Sequence, residues 1–220
     1  MMKRLMQITL AVSVIAMAGC PFRTQERQQE RPPEDGLRQL PGIHYLLVTD
    51  KSVQDDLKLS EEQIKKIKEL EAKEDQAVRD SNNRNEAFIK MRQQQNANEK
   101  ALPNILDARQ LVRLEQIDFQ RMGAEALRYS EVARALDLTD EQKERIKQMH
   151  IKFLEDIRGL RGEKARKQRE EVRQAAFEQM TNVLTAEQKR KWKEMLGEPF
   201  KGEVVNLTHS QKLKNAGSRK

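Results

Sequence analysis

Leu138-Thr139-Asp140-Glu141-Gln142 is one of four short stretches of the same form, the others being Leu59-Ser60-Glu61-Glu62-Gln63, Leu106-Asp107-Ala108-Arg109-Gln110 and Leu184-Thr185-Ala186-Glu187-Gln188. Each has the chemistry of a helix start. Ser60, Asp107, Thr139 and Thr185 are N-cap residues, whose side-chain oxygen accepts from a free backbone N–H of the first turn. The Gln three positions on is placed to reach back to the N-cap amide. One capping box says little, because many helices open with one. The spacing says more. Leu59 and Leu106 are 47 residues apart, Leu138 and Leu184 are 46 apart, and the two pairs are offset by 79 and 78. Such a period marks an internal duplication, two copies of one helical unit.

The expected fold is all-α: two tandem helical-hairpin units, elongated, covering residues 43–122 and 123–200. In the first, a short helix near Asp50 to Leu57 leads into a longer one from Ser60, with Ile64, Ile67 and Leu70 on one face. The polar run Asp80 to Asn85 reads as a turn. Ala87, Phe88, Met91, Ala101, Leu102 and Ile105 form the returning arm, although Gln94, Gln95 and Asn98 leave its middle weakly apolar. Pro103 is expected to end that arm, and a last helix carries Leu111, Leu114 and Ile117. In the second unit Ile146, Met149, Phe153, Ile157 and Leu160 recur at helical spacing. Gly159 and Gly162 fall where the first polar turn falls, so both units should fold back there. The alternative is one unbroken helix through both glycines. Val172, Ala176, Met180 and Val183 resume the apolar face, and Trp192 stands where Leu114 stood.

Lys3 and Arg4 precede an apolar run from Leu5 to Gly19, which reads as an export signal over residues 1–19. The only cysteine, Cys20, closes Met17-Ala18-Gly19-Cys20, a stretch similar to a bacterial lipobox, where the Cys is lipidated and becomes the first mature residue. An ordinary signal peptide leaving a free thiol is the other reading. A lone cysteine has no intrachain disulfide partner, and a free thiol is a liability in an oxidising envelope. Lipidation accounts for both facts, and several acyl chains hold a soluble domain at a membrane. Pro21, where inner-membrane lipoproteins favour Asp, points to the periplasmic side of the outer membrane. Residues 20–42 hold four of the six prolines and no periodicity, as expected of a flexible tether. Residues 201–220 form a basic tail.

The chain carries 42 Lys and Arg against 35 Asp and Glu, a net charge of +7, with 37% hydrophobic and 35% charged residues. Removing Lys3 and Arg4 with the leader leaves +5. This composition suits helices that bury a narrow stripe rather than an enzyme with a deep pocket. His44, His150 and His209 are far apart and have no neighbour at ligand spacing, so no metal, and no cofactor, is expected. No phosphate loop or nucleophile elbow is present, so no catalytic residue is named and the chain reads as a non-enzyme. Aromatics at 4% argue against a nucleic-acid partner.

The four Leu-Thr-x-x-Gln stretches, joined to an export signal and an all-helical pattern, resemble the Spy/CpxP family of periplasmic proteins. The resemblance spans Asp50 to Gly197 and implies bent helical hairpins that act as ATP-independent chaperones or as brakes on envelope-stress sensors. Family members carry two such motifs and dimerise. Four in one chain imply a monomeric pseudo-dimer, or a homodimer of them, as in duplicated planctomycete-type lipoproteins. Two functions follow as expectations: a tethered holdase for unfolded envelope proteins, or an adaptor docking one specific envelope partner. Met91, Met149, Phe153 and Met180 are the expected client contacts, because thioether and aromatic side chains adapt to varied surfaces. Each also fits an ordinary core position between hairpin arms.

Overall fold

The computed structural model describes residues 44–162 and 165–202. The leader, Cys20, the tether and nearly all of the basic tail lie outside the described residues. Contacts gather the described residues into one compact unit. All regular structure among the described residues is helical.

The first half runs α1 (His44–Val48), α2 (Lys51–Asp56), α3 (Glu61–Arg79), α4 (Arg84–Ala101) and α5 (Ala108–Met122). A 3-10 turn at Leu102–Asn104 carries Pro103 and ends α4 as expected. The second half repeats the order: a 3-10 segment Gly123–Arg128, then α6 (Ser130–Ala135), α7 (Asp140–Arg158), α8 (Arg166–Asn182) and α9 (Ala186–Leu196). Both hairpins turn back where the sequence placed them, α3 at Arg79 and α7 at Arg158. The unbroken helix is thereby excluded. Arg169 closes the second turn, its Nη1 donating to the Leu160 and Gly162 carbonyls at 2.9 and 3.1 Å.

Each half has its own apolar core. The first gathers Tyr45, Leu47, Val48, Val53, Ile67, Leu102, Leu114 and Ile117 among others, and α1 contributes all its apolar side chains. The second gathers Leu127, Val132, Leu136, Ile146, Met180 and Trp192. The repeat boundary at 122/123 is not a core boundary. Phe119 and Met122 of α5 belong to the second core, and the Phe119 ring lies 5.9 Å from that of Trp192. In return the segment after α9 crosses back to the first half. Arg113 holds Asp56 through two nitrogens at 2.7 and 3.1 Å and donates to the Glu198 carbonyl at 2.6 Å. Gln120 donates to Glu198 O at 2.8 Å and accepts from Phe200 N at 2.7 Å, while Phe200 packs on the first core. Gly197 permits this crossing: its φ is +63°, and a Cβ there would meet Gln116 at 2.3 Å.

The hairpins differ in how they are filled. In the first, Ile67, Leu70, Glu74 and Val78 of α3 and Ala87, Met91, Gln95 and Asn98 of α4 are all buried. The polar members survive burial by pairing, since an unpaired buried amide is costly. Gln95 Nε2 donates to Glu74 Oε1 at 3.1 Å, and Asn98 Nδ2 donates to Leu70 O at 3.1 Å. Burial pushes the Tyr45 hydroxyl far up from its ordinary pKa, and the Glu74 charge adds to this. In the second hairpin α7 buries only Ile146, and α8 only Ala176 and Met180.

Candidate functional site

The four motifs form two junctions. At each N-cap the side-chain oxygen accepts from the backbone N–H of the Gln three positions on, and the Gln side chain accepts from the N-cap N–H: Ser60 with Gln63, Asp107 with Gln110, Thr139 with Gln142 and Thr185 with Gln188. The glutamines then pair across helices. Gln63 Nε2 donates to Gln110 Oε1 at 2.7 Å, and Gln110 Nε2 returns to Gln63 Oε1 at 3.2 Å. Gln142 and Gln188 repeat this at 2.7 and 3.0 Å. The second hydrogen of each amide goes to a carbonyl: Gln63 to Ile105, Gln110 to Leu57, Gln142 to Val183 and Gln188 to Asp137. Every Gln thus uses two donors and two acceptor sites, the full capacity of an amide. Leu106, Leu138 and Leu184 are buried beside the junctions, and Leu59 packs on the first core.

The stretch before the first motif of each half ends in the same way. Lys58 and Asp137 have φ of 51° and 52°. Leu59 N bonds to Gln54 O and Lys58 N to Asp55 O, while Leu138 N bonds to Ala133 O and Asp137 N to Arg134 O. These are Schellman caps, whose left-handed residue is more often glycine. Non-glycine residues in that place gave no signal in the sequence.

The motifs are therefore the joints that hold each hairpin's base, not a reactive centre. The two described histidines each sit on a carboxylate. His44 Nδ1 lies 2.8 Å from Glu99, with its Nε2 3.8 Å from Asp118, and His150 Nδ1 lies 2.8 Å from Glu125. Among the described residues no group of three His, Cys, Asp or Glu is placed to hold a metal. An open groove of about 690 Å³ at the seam is lined by Asp56, Arg113, Arg190, Lys193 and Glu198 among others, a mixed-charge surface.

The expected client contacts divide. Met91 is 2% exposed and Met180 0%. Met91 is packed at the first hairpin tip with Val78 and Ala87, and Met180 in the second core. Neither can touch a partner, and this corrects the expectation for both: their helical register points them at the opposite arm. Met149 and Phe153 are half-buried. Phe153 lies between His150 and Phe177, its centroid 6.2 and 6.3 Å from theirs, and Arg173 caps the Phe177 ring at 5.5 Å. The large apolar side chains that do face solvent are Phe88 (51%) and Ile89 (56%) on α4, and Ile151 (41%) and Leu154 (45%) on α7. Sequence reasoning missed Ile89, Ile151 and Leu154, which stand outside the main stripe. The signal was their spacing from the buried positions. Comparison with known proteins adds no relative: no family model, curated protein or solved structure matches this chain.

Proposed function

We propose that this protein is an exported, non-enzymatic binding protein of the envelope, lipid-anchored at Cys20 and facing the periplasm, that holds unfolded proteins without a nucleotide or cofactor. One observation supports the reading above the rest. α7 fully buries a single residue, Ile146, and leaves Met149, Phe153 and Ile157, on the face that meets α8, half-exposed. A capped, jointed hairpin that does not close its own apolar arc offers adaptable contacts to chains in transit. Lys152, Arg158, Arg166 and Arg173 around it suit transient, polar-rimmed binding. The resemblance to the Spy/CpxP proteins, carried by the four capping motifs, belongs to the same proposal, with the two halves as a pseudo-dimer in one chain.

The test is light scattering of an unfolding model protein in the presence of residues 31–220. Suppression of aggregation that falls sharply in Phe153→Ser is the expected result. No suppression at several-fold molar excess overturns the holdase reading, and a pull-down from envelope extract returning one dominant protein would reassign the chain as an adaptor. Mass spectrometry of the native protein tests the anchor, since an unmodified Cys20 removes it.

A further inference from the structure

Lys147, Ile151, Leu154 and Arg158 stand at i, i+4, i+7 and i+11 of α7, one row along the helix. It lies about 125° around the axis from the row of Ile146, Met149, Phe153 and Ile157 that faces α8, as 100° per residue dictates. Two exposed aliphatics therefore sit between two cations on a face that the hairpin does not use. The duplication supplies an internal control. The residues 79 positions earlier in α3 are Lys68, Ala72, Asp75 and Arg79, so the same helix folds in the first half with a small and an acidic residue where the second half exposes Ile and Leu. The fold does not require them.

The charge around this row is net basic. Residues 144–162 contain five Lys and Arg and three Asp and Glu. Lys147 pairs with Glu144 and Lys152 with Asp156, but Arg158 and Arg161 make no ion pair among the described residues, so the C-terminal end of the row carries the unneutralised charge. From this juxtaposition we infer that the outer row of α7 and residues 159–162 directly after it form a docking surface for an anionic lipid bilayer. A protein partner would need about 800 Å² of matching surface for a stable contact, far more than two part-exposed aliphatics on a single helix provide. A bilayer needs no matching shape. Its interface accepts aliphatic side chains to a depth of about 5–10 Å while its headgroups neutralise the flanking cations. The inference does not depend on holdase activity or on lipidation of Cys20.

Vesicle flotation of residues 31–220 tests it, with vesicles of pure phosphatidylcholine and of phosphatidylcholine carrying about one-third phosphatidylglycerol. Binding should be confined to the anionic vesicles and lost at high salt. A cation at an anionic surface contributes about fivefold in affinity, so Arg158→Gln with Arg161→Gln should weaken binding by tenfold or more. Ile151→Ser with Leu154→Ser should weaken it at every salt concentration at which the parent protein binds. Because all four side chains are exposed, helicity and thermal midpoint should be unchanged, and both are read alongside. Equal binding to neutral vesicles overturns the proposal. So does binding that neither double variant alters, which would place it on the basic tail, and so does binding to polyglutamate without binding to vesicles.

Discussion

At each junction a glutamine amide satisfies an N-cap N–H, a carbonyl and its partner amide at once, and that combination restricts the residue more than capping does. A capping box accepts Glu as readily as Gln, since only an acceptor is needed. Here the Nε2 atoms of Gln142 and Gln188 must donate, to Val183 O, Asp137 O and each other. Gln142→Glu would set a carboxylate against two oxygens, so it should lower unfolding free energy by at least about 2 kcal/mol in urea titration at pH 7, even though it preserves the cap. Equal stability would mean the paired amides do not hold the base. Lys58 makes the opposite case. It adopts φ of 51°, a conformation that costs an L-residue about 1–2 kcal/mol and glycine almost nothing. Lys58→Gly should raise the unfolding free energy, by about 1 kcal/mol less the extra chain entropy of glycine.

At the scale of the helix, what the sequence revealed and what it hid have physical causes. Helix starts, hairpin turns and the order of the halves were legible, because caps, Pro103 and the glycines act locally and the duplication showed each signal twice. The pairing of motifs was written in the choice of Gln over Glu in all four copies, which capping alone does not explain. The packing of the hairpins was harder to read. Gln95 and Asn98 look like gaps in a stripe, yet both are buried through bonds to Glu74 and to Leu70 O, a tertiary fact that no period reports. Met180 and Met149 look alike in sequence, but only Met180 is fully enclosed. Met180→Ala should cost about 2–5 kcal/mol in unfolding free energy. Met149→Ala should cost less than half of that, because solvent already reaches its site.

Across the whole folded unit, stability should depend on pH through a buried cluster where α1 meets α4 and α5. Both ring nitrogens of His44 face carboxylates, Glu99 at 2.8 Å and Asp118 at 3.8 Å, and only the imidazolium presents a donor to each. Burial by itself would lower the pKa of His44. The hydrogen bond to Glu99 and the charges of Glu99, Asp118 and Glu115 outweigh it, so the pKa is raised above 6.5. Asp118, wholly buried, is also raised, by burial first, with the His44 and Arg121 charges opposing. A group with a raised folded pKa binds more protons folded than unfolded, so stability falls as pH climbs between its unfolded and folded values. For Asp118 that decline starts near pH 4, where the surface carboxylates Glu62, Glu86, Glu144 and Glu170 work against it, because cation and amide partners hold them below the usual range and their contribution grows with pH. Above pH 6.5 those carboxylates are fully ionised in both states, and His44 is left to set the slope. Urea midpoints should therefore drop between pH 6.5 and pH 8.5, and His44→Gln, which keeps a donor for Glu99 but cannot titrate, should flatten the curve across that window. A parent protein that is equally stable at both pH values would show that His44 does not carry its charge between Glu99 and Asp118, and that α1 is held by Tyr45, Leu46, Leu47 and Val48 alone.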